Sequence, residues 1–467
     1  MPPRPSTSPR IASSDGSHAG TTSMRSTSQR ALSAGVAHLT PESKPITSSR
    51  PSFKAAPSLS DKGERVKVCV RVRPAIGEEQ PGSVDVGVDG KSVRVNRYLS
   101  VRSNVAYSDF EFDKVLPTTA SQMDVYDVAG RPVVEDVLMG YNGTIMAYGQ
   151  TGAGKTYTVG NEVNTEGMIS RASAHIFEAA KHDSEHEYQV YMSYLQIYCE
   201  IVHDLLVEDM ESLNLREDMD GKVYVEGARR VEVKSVDQAL RVILAGEQNR
   251  VYACTKLNAH SSRSHAITIV TVEKRRRVSD GTKRPEKMVI GKLFLVDLAG
   301  SERLKKSKSE GVRKDEAKAI NKSLSTLGMC INARADPNAT YVPFRDSKLT
   351  RLLQESLGGN CKTTLIVCIP DVVDHVEETV SSMLFGSRAM QVKTRAQVNE
   401  VVDYKAFVTE NQVRAEEMEQ ELGMLEARLA VREEEMERLV SRLQQSEQER
   451  EKKLKAVTHE RDSLQHK

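Results

Sequence analysis

No stretch of this sequence stays apolar for long. The longest uninterrupted apolar runs are about five residues, such as Leu365-Ile366-Val367-Cys368-Ile369, whereas a membrane-spanning helix needs ~20. No spanning helix is expected, and the N-terminus lacks the apolar core of a secretory leader. An excess of one charge is also missing, since 66 Lys and Arg face 65 Asp and Glu for a net charge of +1. No overall field draws the chain to nucleic acid or an anionic membrane, so a basic site has to be a local patch. None of the six cysteines stands in a C-x-x-C pair, which excludes zinc-finger and thioredoxin-like spacing. Four of them sit in apolar runs, as small core residues do, and a reducing compartment is expected. Apolar residues make up 39% of the 467, under the usual ~45–50%, so part of the chain is expected outside any packed core while the rest suffices for a large one.

Composition divides the chain. Among residues 1–60 there are 21 Ser and Thr, 8 Pro, and seven basic residues against two acidic. Without a hydrophobic period such a segment cannot offset its chain entropy, and 1–63 is read as a disordered basic arm. It reads first as a solvated tail; the alternative is a weak contact with an acidic partner, tunable by phosphorylation. Residues 64–390 alternate strand-like and helix-like stretches. Val66-Lys67-Val68-Cys69-Val70-Arg71-Val72 has period 2, 188–198 and 266–272 are β-branched and aromatic, and Leu293-Phe294-Leu295-Val296 reads as a strand buried on both faces. Stretches 172–180, 237–247, 314–334 and 347–356 read as helices. The mixture predicts an α/β domain, a central sheet flanked by helices on both faces. From 404 to 467 the chain becomes helical and charged. Steps of three and four from Ala415 meet Met418, Leu422, Leu425, Leu429, Arg432, Met436, Leu439 and Leu443, apolar at all but one position, which predicts a coiled coil. Beyond Leu443 a four-residue stutter would continue the seam through Leu454, Val457 and Leu464.

Gly149-Gln150-Thr151-Gly152-Ala153-Gly154-Lys155-Thr156 fits the phosphate-loop pattern G-x-x-x-x-G-K-[ST]. The apolar run Thr144-Ile145-Met146-Ala147-Tyr148 leads into it as a strand. Such a loop turns backbone N–H groups toward phosphate oxygens, with Lys155 reaching the terminal phosphates and Thr156 offering its hydroxyl to Mg²⁺. The buried strand 293–296 ends in Asp297-Leu298-Ala299-Gly300, where Asp297 can orient water around the metal. Gly300 can bring a backbone N–H to the γ-phosphate, a bond whose loss would move the loop behind it. The run Asn258-Ala259-His260-Ser261-Ser262-Arg263-Ser264-His265 supplies hydroxyls for Mg²⁺ or water, Ser262 foremost, and Arg263 can pair with Glu302.

Together these motifs resemble the motor domain of the kinesins. Arg71-Val72-Arg73-Pro74 is similar to the family's adenine-side R-x-R-P, and Gly149–Thr156 followed by Tyr157-Thr158 to its phosphate loop. Asn258 to His265 resembles switch I, Asp297 to Glu302 switch II, and Asn321-Lys322-Ser323-Leu324 the switch II helix. The run from Val342 to Arg351 resembles the elements that meet tubulin, and Glu378-Thr379 to Phe385 the last core helix. The likeness covers about 64–400 and is strongest to conventional kinesin heavy chain. It implies ATP and Mg²⁺ as cofactors, with Lys155, Ser262, Arg263, Gly300 and Glu302 catalytic and Thr156 with Ser262 on the metal. Nucleotide contacts would come from Arg71, Arg73, Pro74, Gly149 to Tyr157, Asn258, Ser261, Ser262 and Asp297.

The resemblance further implies a microtubule-stimulated ATPase of the cytoplasmic cytoskeleton. Its basic face would include Lys305, Lys306, Lys308, Arg345, Lys348 and Arg351, with Arg229 and Arg230 as a second group, opposite acidic tubulin. Residues 391–403 resemble a neck linker, with Asn399 at the docking asparagine, and the coil implies a homodimer. A motor followed by linker and coil is the family's plus-end-directed layout. The sequence departs from the pattern in the basic loop Arg303 to Gly311, at Gln196 where the family often has Glu, and at Cys199 where it often has Asn. No membrane or nucleic-acid partner is expected, and Lys274-Arg275-Arg276-Arg277 reads as a solvated hairpin tip. A microtubule-binding scaffold with slow ATPase is the alternative reading, and the sequence names no cargo.

Overall fold

The computed structural model describes residues 64–97, 106–160, 166–208, 211–256, 261–277, 287–302, 312–402 and 404–465. The expectations for the arm 1–63, for Asn258 and for Lys305, Lys306 and Lys308 lie outside these residues.

Strands come first: β1 (Lys67–Arg73), β2 (Val84–Val86), β3 (Ser92–Asn96), β4 (Tyr107–Glu111) and β5 (Lys114–Leu116). Helices α1 (Gln122–Val125) and α2 (Arg131–Leu138), β6 (Asn142–Tyr148), and helices α3 (Lys155–Val159) and α4 (Met168–His182) follow. Next are β7 (His186–Tyr198), β8 (Ile201–Asp204), β9 (Ser212–Glu217), β10 (Val223–Glu226), β11 (Val231–Val233) and α5 (Val236–Lys256). The antiparallel pair β12 (His265–Arg276) and β13 (Lys287–Asp297) leads to α6 (Val312–Ala335), α7 (Lys348–Leu352), β14 (Lys362–Pro370), α8 (Val376–Ala389), β15 (Glu400–Val402) and α9 (Tyr404–Gln465).

Among the described residues twelve strands form one mixed sheet, ordered β10-β9-β8-β7-β12-β13-β6-β14-β1-β5, with β11 beside β7 and β15 beside β13. A separate three-stranded sheet holds β2-β3-β4. One side of the large sheet, from β13 through β6, β14 and β1 to the edge strand β5, is parallel. Among these strands β6 and β14 are buried on both faces after their first residue, which is why they read as apolar runs. The period of two sorts their side chains. Met146, Leu365, Val367 and Ile369 join a core with Leu327 and Ile331 of α6, Leu349 of α7 and Met383 of α8. Ile145, Ala147, Ile366 and Cys368 join a second core with Val133 and Val137 of α2, Ile169 and Ile176 of α4 and Ile243 of α5. The predicted sheet with helices on both faces is what the chain forms.

Three local expectations change. The helix expected over 347–356 ends at Leu352. Beyond it Arg334 donates to the carbonyls of Leu357 and Gly358, and the Ser356 hydroxyl and carbonyl are held by Thr144 and Thr363, so the backbone is engaged by other segments. The apolar run 293–296 is the end of an eleven-residue strand, lengthened by pairing with β12 and β15. Lys274 is no solvated tip. It lies within β12, pairs with Asp183 at 3.1 Å and sits 5.2 Å over the Tyr188 ring.

Helix α9 runs unbroken from Tyr404 to Gln465. Its seam residues Met418, Leu422, Leu425, Leu429, Met436, Leu439 and Leu443 are exposed in the single chain. Among the described residues no helix is long and apolar enough to cross a membrane.

Candidate nucleotide site

The site lies at the carboxyl ends of parallel β6 and β13, where Ala147 and Asp297 are register partners. Ligands of open α/β sheets bind beyond strand ends of this kind. After β6 the chain turns through 149–154 and enters α3 at Lys155. The Lys155 side chain is buried, its Nζ donates to the Gln150 carbonyl at 2.9 Å, and burial pulls its pKa below the ordinary lysine value. A buried ammonium satisfied by one carbonyl retains donors for an anion. Thr156 donates its hydroxyl to Asp297 Oδ2 at 2.7 Å. The other Asp297 oxygen, Oδ1, is buried without a hydrogen-bond partner. A threonine hydroxyl bonded to a carboxylate with one spare buried oxygen suits a hydrated divalent cation, so these residues fit Mg²⁺.

The Gly300 N–H donates to the Ser262 carbonyl at 3.0 Å and the Ser301 N–H to the Gly149 carbonyl at 3.0 Å. This stitches the loop after β13 both to the turn Ser261–Arg263 and to the phosphate loop. A side chain at Gly300 would meet Thr151 Oγ1 and the Glu302 carboxylate, so glycine lets both keep their places. Glu302 accepts from the Thr151 N–H at 2.8 Å and hydroxyl at 2.6 Å. Its expected pairing with Arg263 stays a proposal; here the carboxylate is engaged by the phosphate loop.

The opposite wall is aromatic and basic. Arg71 lies 5.1 Å over the half-exposed Tyr157 ring and donates to Gln122 and Thr158 at 2.6 and 2.8 Å. Arg73 is held by Glu79 at 2.8 Å, and that hydrogen bond brings the Glu79 carboxyl down to about 2. Between the walls runs a cleft of about 590 Å³ that reaches Arg71, Arg73, Pro74, Thr151 to Tyr157, Ser262 and Asp297. Of the expected nucleotide residues, Gly149 and Gln150 do not line it. Ser261 shares the short turn with Ser262 and Arg263.

Four residues were missed or undervalued by sequence reasoning. His265 is fully buried. It accepts the Ala299 N–H on Nδ1 at 3.0 Å, so Nε2 carries the proton and donates to Ser323 of α6 at 2.8 Å. Burial, reinforced by Arg250 and Lys155, lowers its pKa to about 3. Arg250, Glu247 and Tyr194 form a buried chain ending at Asp297. In the sequence Arg250 and Glu247 look like surface charges of a helix, and only the packing of α5 on β7 reveals them.

The segment after α8 is hydrogen-bonded along the core. Thr394 N–H donates to the Glu64 carbonyl at 2.7 Å, Gln397 N–H to Asn360 Oδ1 at 2.6 Å, and β15 pairs with the start of β13. Asn399 bonds Gly140, Asn142 and Ile290 through its side-chain amide, at 3.0 to 3.1 Å. The proposed basic face is mixed. Arg345 is largely exposed, 3.3 Å from Glu217, whereas Arg351 is mostly buried against the same carboxylate. The Lys348 N–H donates to Glu200. Arg230 is neutralised by Glu273 and stacked on Tyr191, and Arg229 donates to the Leu206 carbonyl.

Strand, phosphate loop, buried lysine and the Thr156–Asp297 pair define a P-loop nucleotide-binding protein. The chain belongs to the kinesin motor family: the kinesin motor domain model matches residues 71–392. Kinesin motor domains are microtubule-stimulated ATP hydrolases. The chain is 44% identical over 376 residues to kinesin-like protein KIN-UA of Arabidopsis thaliana, covering 76% of this chain and 40% of that protein. It is 43% identical over 345 residues to the kinesin heavy chain of Syncephalastrum racemosum, covering 72% and 36%. A solved structure of a fast kinesin, described for its ATPase mechanism and interactions with microtubules, matches with a TM-score of 0.65 and 40% identity, covering 73% of this chain and 95% of that one. The chain spans less than half the length of these two curated relatives.

Proposed function

We propose that this chain is an ATP-driven motor, stimulated by microtubules and directed to their plus ends. Its parts are an arm (1–63), a motor domain (64–390), a neck linker (391–403) and a coil (404–467) that pairs two copies. It works in the cytoplasm on the cytoskeleton. Thr156 and Ser262 would hold Mg²⁺, with Asp297 ordering water beside it, and the ion would supply charge neutralisation at the phosphates. Phosphoryl transfer then depends chiefly on positioning. Lys155 and the loop N–H groups hold the phosphates, Tyr157 and Pro74 flank the base, and Arg263 with Glu302 orders the attacking water.

The observation that carries the reading is the Gly300–Ser262 bond of 3.0 Å. A γ-phosphate oxygen offers the same N–H a charged acceptor, and charge-assisted bonds are the stronger ones. An exchange of partner there would shift 298–302. His265, bonded to both Ala299 and Ser323, would pass the shift to α6. The docked run 394–402 is the output. Arg345 and Lys348, with the basic residues of the loop 303–311, are the proposed filament contacts.

Steady-state ATP turnover with and without microtubules tests this. Turnover should rise by roughly a hundredfold or more, the scale at which a completed catalytic geometry acts. Filament binding with unchanged turnover would favour the scaffold.

A further inference from the structure

Helix α5 lies directly on β7 at Gly246, where any side chain would strike the Tyr194 ring. This approach buries three polar groups in a row. The Tyr194 hydroxyl donates to Glu247 Oε1, the same oxygen lies 3.4 Å from Arg250 Nη1, and that nitrogen is 3.8 Å from Asp297 Oδ2. Tyr194, Glu247 and Arg250 are each at least nine-tenths buried, at 2%, 7% and 4% exposure. Two carboxylates therefore share one guanidinium away from water. A buried charge cluster is costly, and apolar replacements of equal volume are often neutral or stabilising, so packing alone does not account for it. The cluster ends on the carboxylate that already holds Thr156 and keeps one spare oxygen.

We infer that Glu247, oriented by the Tyr194 hydroxyl, is a positioning residue that divides the charge of Arg250 between itself and Asp297. It thereby sets how firmly the site retains a divalent cation and the product nucleotide. The inference rests on the nucleotide-hydrolysing reading above. The physical basis is competition. The closer the guanidinium sits to Asp297, the less negative charge that carboxylate offers to metal-bound water. Glu247 draws Arg250 back, and the phenol hydroxyl weakens that pull by occupying the shared oxygen.

The two ends of the chain therefore give opposite effects. In Glu247→Gln, Arg250 turns toward Asp297, so more Mg²⁺ is needed to hold ADP and its release speeds up. In Tyr194→Phe, Glu247 is freed to hold Arg250 more closely, so less Mg²⁺ is needed and release slows. The full chain is loaded with a fluorescent N-methylanthraniloyl-ADP. Release is then followed after a chase of unlabelled ATP across a Mg²⁺ titration, without microtubules. The release rates of the two variants should diverge by roughly tenfold, within the coupling range of one charge network. Glu247→Asp, which keeps the charge on a shorter arm, should shift the Mg²⁺ midpoint as Glu247→Gln does but by less, and serves if the glutamine variant does not fold. Equal Mg²⁺ midpoints in wild type and variants of matched melting temperature would overturn the inference alone. So would shifts of both ends in one direction, the mark of a merely loosened helix. A wild-type chain that binds no labelled ADP at any Mg²⁺ concentration would overturn the nucleotide reading with it.

Discussion

His265 shows what one side chain contributes at this site. Its ring joins the loop after β13 to helix α6 and does so only when neutral, because Nδ1 must accept the Ala299 N–H. Its pKa falls from 6.5 in the open chain to about 3 in the fold. Between those values the unfolded chain binds the extra proton, so stability is complete above pH 6.5 and declines as pH falls toward 3. At pH 5 the loss from this group should be about 2 kcal/mol. Denaturant titrations at pH 7 and pH 5 should show a smaller pH-dependent loss in His265→Gln than in wild type, and equal losses would contradict this. The motif residues themselves were legible in the sequence, since Lys155, Thr156 and Asp297 meet as their pattern implies. Arg250 and Glu247 were not, because a charge on a helix carries no mark of what lies over it. Nor could the spacing foretell that Glu302 would bond Thr151, a choice among acceptors that only the folded loop makes.

Elements differ in how openly the sequence announces them. β6 was legible because burial on both faces forces an apolar run; β14, equally apolar, stands out in the sequence only for the length of its run and is not read there as a strand. β15, three residues long, has no period to detect, and its neighbourhood was placed only through the likeness of Asn399 to a docking asparagine. Asn399→Ala removes three side-chain bonds to Gly140, Asn142 and Ile290. Microtubule-stimulated turnover should survive within about twofold while filament gliding slows severalfold, as expected when positioning and chemistry lie in separate elements. Matched losses of both would contradict a coupling role. The turn between β7 and β8 offers a test of stability. Cys199 and Glu200 have φ of 50° and 63°, the left-handed pair of a two-residue hairpin turn, where Asn is favoured at the first position. Glu200 repays its conformation by capping α7, accepting from Ser347 and the Lys348 N–H at 2.8 and 2.7 Å. Cys199→Asn should therefore stabilise the fold by about 0.5–1 kcal/mol, read from chemical denaturation, and a loss of stability would show that the thiol makes a contact worth more than the strain.

At the scale of the molecule, the sheet brings the nucleotide cleft and the docked segment to opposite ends of the same strands. Asp297 closes β13 at the cleft, and Met288, near its start, pairs with Val401 of β15. Helices on two faces could be read from alternation alone. Strand order could not, because pairing β14 between β6 and β1 joins residues hundreds of positions apart, and local pattern holds no record of that. The apolar seam of α9 remains exposed in one chain, consistent with the proposed pairing of two copies through a stripe of this spacing. Whether turnover drives movement is tested most directly by adsorbing the full chain to a surface and adding ATP with polarity-marked microtubules. A plus-end-directed motor should make filaments glide with their minus ends leading. Filaments that bind, stimulate hydrolysis and stay still would contradict the motor and leave the scaffold in its place.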